Sequence, residues 1–274
     1  MKHTSEPEEN YLARGFRDVD TGATAKMAEC LGYLDSLPSF RRYKNLVLEA
    51  MEPQPGDNTA DLGCGLGFDV LRLARLVGPE GRAIGVDSSK AFLESARLMS
   101  HKSTAVEFIN ADIQKLPFQN AYLHSCKVDR TLQHVERPTS VLREMFRTVR
   151  SGGMVVCAEP DWGTFTIDDE NRAMVRKIAA FWEESFRNPW MGRQLSHELR
   201  EAEFIDVQVQ GALLIAPSFE VSDQVFDLVQ TAARLAESTR NDEPLAWVSQ
   251  ARERDRVRPV WSSVTLFLNV ARRP

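Results

Sequence analysis

No stretch of the sequence approaches the ~20 consecutive apolar residues that a membrane-spanning helix needs. The opening Met1-Lys2-His3-Thr4-Ser5-Glu6-Pro7-Glu8-Glu9 is polar and acidic and lacks the apolar centre of a secretory signal. Cysteine is scarce: of Cys30, Cys64, Cys126 and Cys157, no two form a C-x-x-C pair, and no His/Cys cluster has zinc spacing. That argues against a disulfide framework or a metal centre and for free thiols in a reducing compartment, so the cytoplasm is the expected location. A basic excess is missing as well. Lysine and arginine total 34 against 39 aspartates and glutamates, a net charge of −5, which disfavours a nucleic-acid partner. Arg41-Arg42 and the arginines between 252 and 258 alternate with acids or apolar residues, as solvated helix faces do.

The 274 residues, 43% of them hydrophobic, suffice for one large core with a helical cap. Residues 1–55 read as an amphipathic helical extension, with Tyr33, Leu34, Leu37, Phe40, Tyr43, Leu46, Val47 and Met51 at helical intervals around Pro38. Their apolar faces suit either the chain's own core or a homo-oligomeric contact. Pro53-Gln54-Pro55-Gly56-Asp57 breaks the chain, and strands then alternate with helices. Strands are expected at 59–62, 82–86, 106–109, 122–128 and 154–158, and helices at 68–77, 91–99 and 138–149. Repeated β-α units of this length predict an α/β fold with helices on both faces of a mainly parallel sheet. Beyond residue 160 the rhythm slows to helices near 168–187, 192–202 and 220–255 and strands at 205–215 and 263–270. Three regions result: an extension (1–55), a ligand-binding core (56–162), and cap helices with the last two strands (163–274).

The segment Asp61-Leu62-Gly63-Cys64-Gly65-Leu66-Gly67-Phe68-Asp69 joins a strand to a helix. Glycines there let the backbone turn tightly and approach a ligand. Asp87 ends the next strand, Ile84-Gly85-Val86-Asp87, where an acid can accept both hydroxyls of a ribose. A nicotinamide dinucleotide site prefers G-x-G-x-x-G, and Phe68 occupies the position of its third glycine. Asp61, just before the loop, suits an ammonium group better than a diphosphate. A nucleoside carrying an amino acid satisfies both features.

The same segment resembles motif I of class I S-adenosylmethionine-dependent methyltransferases. The resemblance continues through Gly85-Val86-Asp87-Ser88-Ser89, through Ala111-Asp112-Ile113-Gln114-Lys115-Leu116-Pro117-Phe118, and through Val128-Asp129-Arg130-Thr131-Leu132-Gln133-His134-Val135. It ends with the helix 142–149 and the turn Arg150-Ser151-Gly152-Gly153. It spans roughly residues 45 to 160 and is most similar to the ubiquinone/menaquinone-biosynthesis-like branch, which includes many secondary-metabolite enzymes. Such a resemblance implies a Rossmann-like seven-stranded methyltransferase sandwich with its last strand antiparallel. It implies that Asp61 and the backbone of Gly63 and Gly65 hold the methionine part, and that Asp87 holds the ribose with Ser88 beside it. Asp112 would meet the adenine amino group and the Ile113 backbone the ring. Lys127 would lie near the methionine end through its main chain, and Arg130 would pair with the carboxylate, a task open also to basic residues of the N-terminal helices.

Methyl transfer needs alignment and exclusion of water, and a base only when the acceptor must lose a proton. His134, after the fourth strand, is the candidate base; packing at the start of the next helix is the alternative reading. Glu159, Asp161 and Trp162 follow the fifth strand at the sheet edge where α/β proteins bind ligands. The later aromatics, among them Trp162, Phe165, Trp182, Phe186, Phe226 and Trp247, read mainly as cap core. A few of them lining a pocket would suit a hydrophobic or aromatic small molecule. Asn188-Pro189-Trp190 reads as a turn between helices. The expected activity is methylation of a small molecule at oxygen or nitrogen, with carbon as an alternative. A nicotinamide-dependent oxidoreductase and a non-catalytic cofactor-binding regulator are the rival readings.

Overall fold

The computed structural model describes residues 11–21, 24–100 and 104–274. The chain opens with a short helix, α1 (Leu12–Gly15), a 3-10 turn (Val19–Thr21), and the helices α2 (Thr24–Ser36) and α3 (Pro38–Ala50). Pro38 stands at the first position of α3, where its missing N–H costs nothing. The core follows in β-α alternation: β1 (Asn58–Leu62), α4 (Phe68–Val77), β2 (Arg82–Asp87), α5 (Lys90–Ser100), β3 (Val106–Asn110), β4 (Leu123–Asp129), α6 (Pro138–Thr148) and β5 (Val149–Ile167). The remainder is α7 (Arg172–Glu184), α8 (Met191–Glu201), β6 (Ile205–Ala216), α9 (Phe219–Phe226), α10 (Leu228–Thr239), α11 (Glu243–Asp255) and β7 (Ser262–Arg272). No helix among the described residues is long and apolar enough to cross a membrane.

The strands form one seven-stranded sheet in the order β3-β2-β1-β4-β5-β7-β6. β1 to β5 run parallel, and β7 is antiparallel to both β5 and β6. Strand order reverses between β1 and β4, so a crevice opens beyond their carboxyl ends. Side-chain alternation sorts the core into two layers. Ala60, Leu62, Ile84, Val86, Cys126 and Val128 pack with α6 and α8. The opposite layer takes in the N-terminal helices, α4 and α5, and the helices α7, α9, α10 and α11. The apolar faces of α2 and α3 (Met27, Cys30, Leu34, Phe40, Val47, Leu48) are thus buried within the chain itself.

β5 differs most from expectation. It begins at Val149 and runs to Ile167, well beyond 154–158 and across the anticipated boundary at residue 162. The physical cause is β7, which pairs with it from Met154 to Ile167 through an irregularity between Asp161 and Thr166. A long antiparallel partner recruits residues that carry no strand pattern of their own. All four cysteines are buried free thiols.

Candidate active site

The loop from β1 to α4 is built by three glycines with left-handed backbones, at φ +75°, +53° and +76° for Gly63, Gly65 and Gly67. A side chain at Gly63 would collide with Thr131, and one at Gly67 would meet the Phe108 ring at 2.7 Å. The loop is tied to β2 by Gly63 N and Cys64 N, which donate to Val86 O at 2.7 and 3.1 Å. Asp87 closes the arrangement: Oδ2 accepts from Gly65 N and Oδ1 from Ser89 N, each at 2.8 Å. Burial raises the Asp87 carboxyl above its ordinary range against these two donors. Each oxygen keeps a second lone-pair site for another donor.

Beneath the loop lies a buried lattice of charges. Asp61 on β1 and Lys127 on β4 are register partners, both directed to the layer that contains α4. Lys127 Nζ contacts Asp61 Oδ1 and Asp69 Oδ2, each at 2.8 Å. Lys44 of α3 reaches Asp69 and Asp129 at 2.7 Å each, and Tyr43 donates to Asp129 at 2.7 Å. Arg72 joins Asp69 to Asp35. Burial alone would raise Asp69 and Asp129, yet the ammonium groups of Lys44 and Lys127 hold both below the usual carboxylate range. Asp61, facing Lys127 and repelled by Asp69, is raised, chiefly by burial. Its side chain is therefore committed to Lys127.

After β4 the backbone turns sharply at Arg130, whose φ of +52° is unusual for a side-chain-bearing residue. Arg130 N donates to Ala158 O at 2.8 Å. The fully buried Glu159 takes the N–H groups of Thr131 and Leu132 at 2.7 and 2.6 Å. Asn188 takes the carbonyls of Leu132 and Val135 at 2.8 Å each, and Gln133 Oε1 accepts from Trp162 Nε1 at 2.7 Å. Burial pushes the Glu159 carboxyl up to about 8 although three backbone donors oppose it. The loop is thereby clamped from β5 and from the α7–α8 turn, which fixes His134 at its tip. The His134 ring lies between Phe16 and Phe186, 5.7 Å from each centroid. Burial, then Arg17, Arg130 and Arg187, depress it to about 3, so it is neutral. Its Nδ1 is buried and has no hydrogen-bond partner among the described residues.

These groups border a cleft of about 560 Å³ that contains Asp61, Gly63, Gly65, Asp87, Ser88, Asp112, Ile113, Lys127, Arg130 and His134. All ten residues singled out from the sequence thus line one space. Asp112 sits at its outer end, holding Gln114 N at 2.8 Å. A smaller apolar pocket of about 50 Å³ adjoins the cleft at Phe16, Arg130, Gln133 and His134 and is walled by Trp162, Trp182, Phe186 and Phe226. Asp161 is paired with Arg193 and turned away from both spaces. Sequence reasoning missed Lys44, Asp69 and Asp129 as a network, Asn188 as a clamp, and Asp20. Asp20 accepts from Ser89 Oγ and Lys90 N at 2.5 and 2.9 Å, and so fastens the N-terminal segment over the start of α5. A charged residue in a strand otherwise wholly buried, as at Lys127 and Asp129, is the signal that could have found the network.

The donor set fits S-adenosylmethionine. A glycine cradle admits backbone close to a ligand, a buried acid at the end of β2 offers lone pairs to vicinal hydroxyls, and Arg130, whose Nε stands 3.4 Å from Asp129 Oδ1 without a hydrogen bond, borders the same cleft.

Comparison with known proteins agrees. The methyltransferase domain family matches residues 53–203. An uncharacterized 37.1 kDa protein in transposon TN4556 of Streptomyces fradiae is 33% identical over 272 residues, 97% of this chain and 77% of that protein. Demethylmenaquinone methyltransferase of Staphylococcus aureus is 26% identical over 195 residues, 65% of this chain and 81% of the enzyme. Among solved structures, geranyl diphosphate methyltransferase in complex with S-adenosylmethionine shares the fold at a TM-score of 0.57 and 16% identity, covering 96% of both chains.

Proposed function

The chain belongs to the methyltransferase domain family, in the class I, ubiquinone/menaquinone-like branch, and is an S-adenosylmethionine-dependent methyltransferase; from that premise we propose that it methylates oxygen or nitrogen on a small apolar or aromatic acceptor in secondary metabolism. The observation that carries this reading is the aromatic pocket of Trp162, Trp182, Phe186 and Phe226, which shares His134 as a wall with the cofactor cleft. In this reading residues 56–162 hold the cofactor, and residues 1–55 with 163–274 supply the acceptor's cover.

When bound, the cofactor supplies a methyl group on a sulfonium centre, already joined to a good leaving group. The chain's own residues do the rest. The backbone of Gly63 and Gly65 and the guanidinium of Arg130 hold the methionine part. Lys127 keeps Asp61 and the loop root in place beneath it. Asp87 and Ser88 hold the ribose, and Asp112 and the Ile113 backbone the adenine. The clamped loop after β4 orients the acceptor, and Phe16 with the pocket aromatics excludes water from the reacting atoms. The neutral His134 offers Nδ1 as acceptor for the hydrogen of a hydroxyl or amine.

Incubation of the purified protein with methyl-labelled cofactor and a panel of phenols, hydroxyquinones, aryl amines and aliphatic amines tests the proposal. Labelled O- or N-methyl products from the aromatic members are expected. Label found only on carbon, or only in aliphatic products, would overturn it.

A further inference from the structure

The two edges of the sheet are guarded unequally. β3 is five residues long and carries Glu107, which pairs with Arg82 of β2 at 3.9 Å. β6, at the other edge, runs for twelve residues and bonds to β7 alone among the described residues. From Val207 to Ala216 it contains no charged residue and no proline. Edge strands of soluble proteins commonly carry one or the other, because an open row of N–H and C=O groups accepts any strand that meets it. Ten large apolar side chains stand exposed among the described residues, and four belong to this strand: Ile205, Val209, Leu213 and Ile215, at 45, 49, 56 and 40%. Val209, Leu213 and Ile215 share one face of the sheet. On that face α8 packs near Val207 and Asn269 and leaves the three exposed. Trp261, which leads into β7 at the same end, is 40% exposed as well.

The N-terminal helices bury their apolar faces within the chain, so they leave no such surface for a second copy. Along β6 the conditions for one are met. An irregularity at Asp206, φ +53°, ends the regular edge, which runs from Gln208 to Ala216. That edge is roughly 30 Å long at the rise of an antiparallel strand. Successive residues of a strand turn their N–H and C=O groups to alternate sides, so the open groups of β6 belong to every second residue. A second β6 arriving antiparallel bonds through the same set, which places odd-numbered residues opposite odd-numbered ones. The row of Val209, Leu213 and Ile215 then meets the same row of the other copy. Gln208 and Gln210 meet their own row on the opposite face, and no like charges are brought together. With side chains reaching about 10 Å on either face, the junction covers on the order of 600 Å² per partner, at the lower end of stable interfaces. The geometry points to a homodimer in which two copies join β6 to β6 about a two-fold axis near Gly211. The two seven-stranded sheets then run on as one. The assembly is closed, because the axis occupies both open edges at once. The cofactor cleft lies beyond β1 and β4, away from this edge, so both copies keep it open.

Sedimentation equilibrium of the full chain between about 1 and 100 µM tests this, a range that brackets the micromolar affinity expected of so small an interface. The mass should rise from that of one chain toward that of two and no further. Amide exchange read by mass spectrometry should slow over 205–216 across the same range and stay constant over β3. Leu213→Lys sets a cation on an exposed site of each copy, and Val209→Lys/Leu213→Lys sets two. The double variant should raise the dissociation constant at least about 30-fold with its circular dichroism spectrum retained. A parent that stays monomeric at about 100 µM overturns the homodimer and leaves this face to a different partner. A dimer that persists in the double variant, a mass beyond two chains, or protection confined to regions away from β6 overturns it equally. Should the lysines unfold the chain, the exchange pattern of the parent decides alone.

Discussion

Replacing Lys127 by methionine removes the cation at the centre of the buried lattice while keeping most of the unbranched side chain. Lys127 Nζ is 2.8 Å from both Asp61 Oδ1 and Asp69 Oδ2. Asp69 retains Lys44 at 2.7 Å and Arg72 at 2.8 Å, so its charge stays compensated. Asp61 loses its bonded cation, and its cheapest escape is to bind a proton. Holding a carboxyl of ordinary pKa (~3.9) neutral at pH 7 spans about 3 pH units at 1.36 kcal/mol each, or about 4 kcal/mol. That lies within the ~3–5 kcal/mol found when one partner of a buried pair is removed. At about 2–4 °C per kcal/mol for a chain near this size, Tm should fall by roughly 8–16 °C. The sign with pH follows from linkage. The variant's folded state carries the extra proton and its unfolded state does not, so its stability improves on acidification. At pH 5.5 the deficit should be about 2 kcal/mol, half its value at pH 7. Asp61→Asn combined with Lys127→Met should recover most of the loss at pH 7. Urea and thermal unfolding at both pH values measure this. A deficit under about 1 kcal/mol, or one that does not shrink in acid, would refute the view that Asp61 depends on Lys127.

Asp87→Ala removes the acceptor of two N–H bonds and the proposed ribose contact, so S-adenosylhomocysteine should bind ~10–100-fold more weakly by calorimetry; an unchanged Kd would remove Asp87 from the cofactor site. Gly63→Ala places a Cβ at φ +75° against Thr131 and should cost about 2–4 kcal/mol of stability together with most cofactor affinity; a variant that melts and binds like the parent would contradict the described loop. Because the His134 pKa is depressed to about 3, the unfolded chain binds a proton there that the folded one does not. Folded stability therefore declines as pH falls from about 6.5, by up to ~1.4 kcal/mol per unit from this residue. His134→Gln should flatten that decline in urea titrations between pH 7 and pH 5, and an unaltered slope would show the ring to be ordinary.

The strands and helices of residues 58–148 were legible because each carries its own instruction. α4 begins after a left-handed Gly67 and ends at Gly78, and its buried stripe Val70, Leu73, Ala74 and Val77 has the helical period. The cofactor residues were legible for a related reason: their contacts are local, a glycine loop and the acid closing the next strand. The ion lattice was hidden because it is assembled from α3, β1, α4 and β4. Nothing in the sequence around Lys44 names its partners, and only the cross-strand register of Asp61 with Lys127 reveals their pairing. β5 was underestimated because the pairing that extends it lies with β7, about a hundred residues later. The clamp by Asn188 was unreadable for the same cause. A turn between helices is what its sequence says, and nothing in it names the carbonyls of Leu132 and Val135 as its targets.

The two ends of the cleft answer to different electrostatic demands. Beneath the glycine loop, Asp35, Asp61, Asp69 and Asp129 are interlocked with Lys44, Lys127 and Arg72, a nearly balanced set. Such a lattice contributes little net stability after desolvation, but it fixes relative positions, because moving any one member exposes another's charge. Five elements are thereby pinned beneath the place where the methionine part is held, with little net field to disturb a zwitterion. At the other end, beyond Arg130, the walls are aromatic: Phe16, Trp162, Trp182, Phe186 and Phe226. A site that needs rigid placement of one ligand beside an apolar space for another gains from that division: the paired charges position the first, and the aromatic walls border the space for the second.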